Sequence, residues 1–190
     1  CFEIGTIALL IKLLIQFNLP RKYVLLYALN PLVIIEIMGN AHFEGVMVFF
    51  LLLALFFLQS RGYFASALAF SFSVLTKLLP LMFLPALIIK LKGKDGHHLK
   101  YLLWSGLFIV ILSSPYLLDL DITHFLSSIN LYFQKFEFNA SVYYLLRQLF
   151  LLLTGYNQIF IIGPALGLIT LVLILRMAYK TPGGNVKSLI

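Results

Sequence analysis

Gly39-Asn40-Ala41-His42-Phe43-Glu44-Gly45 places Asn40, His42 and Glu44 between two long apolar runs. A carboxylate and an imidazole at a membrane boundary must be paired, solvated or bound to something, so such a cluster marks a functional site. The plainer reading is a polar turn between two membrane helices. Under either reading the flanking runs are helices that cross a bilayer.

The rest of the composition agrees. The chain of 190 residues is 62% hydrophobic and only 11% charged, whereas soluble domains carry about a quarter of their residues as charges. The apolar runs are separated by short polar turns and seldom alternate strictly, so helices and not a β-barrel satisfy the backbone. We expect an all-α, polytopic membrane domain of about six to seven segments, some broken or re-entrant, over residues 1–190. The single cysteine, Cys1, excludes an intrachain disulfide and a cysteine-based metal site. The net charge of +7, from 14 basic and 7 acidic residues, reflects topology and not nucleic acid, because Lys and Arg gather in cytoplasmic loops. The chain opens on Cys1 and becomes apolar at Ile4 without a basic leader, which reads as part of a longer chain lacking its N-terminal portion.

In order, Ile4 to Phe17 forms a first helix ending at the Asn18-Leu19-Pro20-Arg21-Lys22 turn. Tyr23 to Ile37 returns, with a kink expected at Asn30-Pro31. Ala41 to Gln59, about 28 Å of helix, crosses again. After the Ser60-Arg61-Gly62 turn, Tyr63 to Thr76 carries Ala65, Ser66, Ala67, Ala69, Ser71 and Ser73, small residues that allow close helix approach. Leu78 to Ile89, interrupted by Pro80 and Pro85, is too short for a straight span and reads as broken. Lys90, Lys92, Lys94 and Lys100 form the most basic loop, which fixes the cytoplasmic side. Tyr101 to Tyr116 crosses outward; Val142 to Leu153, with Arg147, lies at the interface or dips in; Asn157 to Tyr179 is the last span.

With that topology Arg21, Lys22, Arg61, Arg176, Lys180 and Lys187 fall inside with the lysine loop. Glu36, Glu44, Asp119, Asp121 and Glu137 fall outside, provided Val142 to Leu153 does not cross. Asn40, His42 and Glu44 then share a face with the loop holding Asp119, His124, Lys135, Glu137 and Asn139. Such groups hydrogen-bond sugar hydroxyls, deprotonate an acceptor or hold a divalent cation; no resident metal site or other cofactor is assigned. As a first-turn acid Glu44 could simply answer a helix dipole, but that leaves His42 unexplained. Lys77, Lys135 and Arg147 are cations left outside against the trend. Pairing with Asp119 or Glu137 would account for each singly, and a lipid-linked phosphate for all three together.

Four blocks carry a resemblance: Leu29-Asn30-Pro31, Gly39 to Gly45, Leu75-Thr76-Lys77-Leu78-Leu79-Pro80 continuing to Leu84-Pro85, and Phe136-Glu137-Phe138-Asn139-Ala140-Ser141. Together, over about residues 29 to 145, they resemble the GT-C superfamily of polyprenyl-phosphate-sugar-dependent glycosyltransferases, in the bacterial branch related to GPI and phosphatidylinositol mannosyltransferases. The resemblance implies inverting transfer of a sugar, typically mannose, from a polyprenyl-phosphate donor to a lipid, glycan or protein acceptor. The active site would face outward from a multi-pass protein of the bacterial inner membrane. Enzymes of this superfamily usually carry a catalytic aspartate in the first extracytoplasmic loop, and nothing before Glu36 supplies an outward Asp. Either that loop lies upstream of Cys1, or Glu44 or Asp119 does its work. Lys77, Lys135 and Arg147 are then candidates for the leaving phosphate; Asn40, His42, Glu44, Glu137 and Asn139 for binding sugar or phosphate.

Two other classes remain open. Pro-broken segments also suit a transporter or lipid flippase, although the polar residues collect at one surface and no inverted repeat is visible. A non-catalytic membrane subunit is the other.

Overall fold

The computed structural model describes residues 2–39, 42–91, 96–117, 123, 126–127, 141–156 and 158–180, and every element among them is helical. Two of the described helices are long and apolar enough to cross a membrane, His97–Tyr116 and Ile161–Lys180. The other apolar helices among the described residues, Glu44–Gln59, Tyr63–Thr76, Leu79–Ile89 and Val142–Leu153, are shorter than that, so two of the six to seven expected segments meet the length of a span. The chain forms two compact units, Cys1–Ser114 with Ala178–Ile190, and Pro115–Met177.

In the first unit α1 (Phe2–Gln16) ends in a chain reversal built by Asn18. Asn18 adopts φ 55°, its N–H donates to the Ile15 carbonyl, and the Leu19 N–H donates to the Leu14 carbonyl. This is the left-handed cap that closes a helix by satisfying its last carbonyls, with Pro20 following because it cannot continue the helix. A tight turn over Arg21–Val24 leads into the single helical turn α2, Leu25–Ala28.

The kink expected at Asn30-Pro31 is instead a full break. Asn30 Oδ1 accepts the Leu32 N–H at 3.0 Å, and the chain becomes helical again from Pro31. Proline needs no donor at the first helical position, so here it starts a helix and does not bend one. The new helix widens into a π-type turn over Val33–Gly39.

Next come α3 (Glu44–Gln59) and α4 (Tyr63–Thr76), an antiparallel hairpin. Their connection repeats the closure of α1. Arg61 takes φ 60°, its N–H donates to the Leu58 carbonyl, and the Gly62 N–H donates to the Phe57 carbonyl. At 16 and 14 residues the arms rise about 24 and 21 Å, below the roughly 30 Å of a hydrocarbon core.

The small residues of α4 do what their size predicts. Ser66, Ala67, Ala69, Ser71 and Ser73 are all buried, around a core formed with Ala54, Leu58, Phe70, Val74 and Tyr101. Each serine hydroxyl has an acceptor: Ser66 on the Ala54 carbonyl at 2.7 Å, Ser73 on that of Met47 at 2.8 Å, and Ser71 on those of Ala67 at 2.8 Å and Ser105 at 3.1 Å. Ser66 also lies 3.3 Å from the Tyr101 hydroxyl. Satisfied hydroxyls avoid the roughly 1–3 kcal/mol cost of a buried orphan.

α1 runs parallel to α3. Phe2 meets Phe49 edge-on at 5.3 Å, and Lys12 stands 5.7 Å over the Phe56 ring. Beyond α4 the chain is broken as expected, with a tight turn Leu79–Phe83 before α5 (Leu84–Leu91), and α6 (His97–Leu117) follows. The second unit holds α7 (Ser141–Thr154) and most of α8 (Ile159–Lys180). α7, at 14 residues, is about 21 Å long and leaves Leu145, Leu149, Leu152 and Leu153 exposed.

Candidate functional site

The hairpin register decides where the polar cluster goes. Ser66 lies opposite Ala54 and Ser73 opposite Met47. One further step along the same ladder brings Lys77, the first residue after α4, opposite Glu44, the first residue of α3. Their side chains meet there. The Lys77 ammonium donates to Glu44 Oε1, joining residues 33 apart in sequence across the open end of the hairpin. Lys77 sits in extended backbone, φ −156° and ψ 140°, between α4 and the Pro80 turn. The helix therefore ends where the cation is needed.

The second Glu44 oxygen faces His42 Nδ1 at 3.6 Å. That separation is longer than a hydrogen bond, so the contact is electrostatic. The Lys77 bond holds the Glu44 carboxyl below its ordinary range; partial burial opposes this, and His42 adds a smaller pull in the same direction as Lys77. Side-chain exposures of 49% for His42, 35% for Glu44 and 28% for Lys77 leave the group reachable from solvent. In chemical terms it offers a carboxylate, an imidazole and an ammonium at one accessible edge.

A second carboxylate lies behind the first turn of α3. Glu3 Oε2 accepts the Tyr27 hydroxyl at 2.9 Å, while Oε1 is buried without a hydrogen-bond partner among the described residues. A Cβ built on Gly45 would collide with Glu3 Oε1 and with the Ile37 side chain, so only glycine fits there. Sequence analysis assigns Glu3 no role. The usable signal was an acid inside an apolar helix, which is costly unless paired. Lys12 in α1 is a second ionisable residue of that kind.

Of the site residues expected from sequence, the structure brings together His42, Glu44 and Lys77. Arg147 belongs to the second unit, where its guanidinium lies 6.0 Å over the Tyr144 ring. Asn40, Asp119, His124, Lys135, Glu137 and Asn139 lie outside the described residues, as does most of the loop expected to share a face with Glu44. Among the described residues no three His, Cys, Asp or Glu side chains gather to hold a metal ion.

Residues 6–92 match the family model described as alpha-(1->6)-mannopyranosyltransferase, N-terminal domain. The matched stretch runs from within α1 to the end of α5 and includes His42, Glu44 and Lys77. It supports a mannosyl-transferring enzyme. No curated protein and no solved structure matches the chain.

Proposed function

We propose that this chain is a polytopic membrane mannosyltransferase of the GT-C kind, moving mannose from a polyprenyl-phosphate donor to an extracytoplasmic lipid, glycan or protein acceptor. The observation that carries the reading is the Glu44–Lys77 pair beside His42, inside the stretch that matches a mannosyltransferase family. Transfer needs a base for the acceptor hydroxyl and a cation for the departing phosphate. A carboxylate and an ammonium at one accessible edge supply both. In the reaction the acceptor oxygen bonds to the anomeric carbon and its proton passes to Glu44. The bond from that carbon to the phosphate oxygen breaks, and Lys77 neutralises the charge left on phosphate.

Lipid contact is supported by the exposed apolar side chains of the long helices, Leu103 and Val110 on α6 and Leu168 and Val172 on α8. In this reading the shorter α3 and α4 cross with Glu44 and Lys77 at their aqueous ends. From sequence alone, Asn40, Glu137 and Asn139 are proposed for sugar, Lys135 and Arg147 for phosphate, and Asp119 as the other candidate base.

The test is transfer of radiolabelled mannose from polyprenyl-phosphate mannose by the full-length protein in proteoliposomes. Transfer is expected, and Glu44→Gln or Lys77→Met lowers it by about 100-fold. The breaks at Asn30 and over Leu79–Phe83 favour a flippase as the second reading. Lipid or solute movement across the vesicle without mannosyl transfer would establish that reading and end this one.

A further inference from the structure

Glu44 and Lys77 have separate tasks in mannosyl transfer, yet in the structure each occupies the other. A carboxylate oxygen that accepts a hydrogen bond from an ammonium is poorly disposed to take a proton from a hydroxyl, and the low proton affinity of Glu44 points the same way. The Lys77 charge is likewise already compensated. The pair as it stands is therefore resting and not working.

It is also openable. Both side chains are partly exposed, at 35% and 28%, so an anion can approach the ammonium from solvent. Lys77 follows the last turn of α4 in extended backbone, outside the helix. His42 Nδ1 stands 3.6 Å from the Glu44 oxygen that Lys77 does not use. A partly exposed ion pair is weakly held, whereas a phosphate gives an ammonium a charge-assisted replacement.

Resting on the mannosyl-transfer reading, we propose that Glu44 and Lys77 form an exchange latch: the donor's phosphate draws Lys77 away from Glu44, and only then does the carboxylate accept the acceptor hydroxyl. Donor binding thus precedes acceptor binding. In the step that follows, the acceptor proton goes to Glu44, the new glycosidic bond forms at the anomeric carbon, and the carbon–oxygen bond to phosphate breaks with its electron pair on phosphate, held by Lys77. Departure of the polyprenyl phosphate returns Lys77 to Glu44, which releases the proton to water.

The experiment measures binding of a fluorescent α-mannoside, as acceptor, to the full-length protein in nanodiscs, with and without undecaprenyl phosphate that carries no sugar. In the wild type the lipid phosphate tightens acceptor binding about tenfold, within the usual range of site-to-site coupling. In Lys77→Met, where Glu44 is already released, acceptor binds equally with or without it. Initial rates with varied donor and acceptor give compulsory order, donor first. Acceptor affinity in the wild type that ignores undecaprenyl phosphate, or random order while mannose is transferred, overturns the latch and leaves the transferase reading intact. A wild-type protein that transfers no mannose overturns both.

Discussion

Replacing Glu44 with Gln, Lys77 with Met, and both together separates a working ion pair from a structural one. The two side chains are about a third exposed and close the open end of the α3–α4 hairpin. Solvent screens them, so their coupling in the stability cycle is about 0.2–1 kcal/mol. The effect on transfer has another origin. Loss of a positioned base lowers rate by about 10²–10⁴-fold, and loss of a group that neutralises developing charge by about 10²–10³-fold. Groups that act in one step are strongly non-additive, so the double variant transfers within a few-fold of the worse single variant. Thermal unfolding of the purified protein gives the first cycle and initial rates of mannosyl transfer the second. A stability coupling of about 3 kcal/mol or more, the range of a pair buried away from water, with transfer falling only in step with the folded fraction, would refute the assignment.

Four further outcomes follow from the same geometry. Because Lys77 lowers the folded-state carboxyl of Glu44, the pair's contribution to stability is present above the ordinary carboxylate range and is lost as pH falls through the folded value; unfolding followed against pH should show this increment in the wild type and not in Glu44→Gln. Phe70, fully buried between α3 and α6 partners, should cost about 3–5 kcal/mol on truncation to Ala, and a loss below 1 kcal/mol in denaturant unfolding would misplace the core. Ser66→Ala removes the partner of the Ala54 carbonyl and of the Tyr101 hydroxyl and should cost about 1–3 kcal/mol, read in the same assay. Gly45→Ala drives a methyl against the Glu3 carboxylate and Ile37 at about 1–3 kcal/mol; adding Glu3→Ala should recover part of that loss, and no recovery would place the clash elsewhere.

Much of the fold was legible because local chemistry is strong where the chain turns. Asn18 before Leu19-Pro20, and Ser60-Arg61-Gly62, sit where the structure closes α1 and α3. The run of Ser and Ala in α4 announced a close helix contact, and the register of that contact follows from it. His42 and Glu44 were legible as polar residues between apolar runs, and Lys77 as a cation where a helix had to stop. What sequence could not give is which acid meets which cation. Single-residue arguments offered Asp119 and Glu137 as partners for Lys77, whereas the Lys77–Glu44 contact depends on two helices having nearly equal length. The break at Asn30 was misjudged as a kink because proline in an apolar run reads as an interruption, while the Asn30 side chain makes it a beginning. Glu3 escaped notice since its partners, Tyr27 and Gly45, come from two other elements.

The buried serines and the exposed ion pair are one device seen at two depths. Ser66 and Ser73 lock α4 against α3 at two levels through carbonyls of the facing helix. A slip of one helical turn, about 5.4 Å, would break both of these contacts and carry Lys77 out of reach of Glu44 together. The cost of the slip falls mainly on the serines, since an exposed pair contributes little, so the core sets the position of the site. The pair thereby carries little of the hairpin's stability, so parting it is not expected to open the hairpin. Glu3 and Gly45 extend the argument to α1, because the carboxylate fits against α3 only where a glycine leaves room.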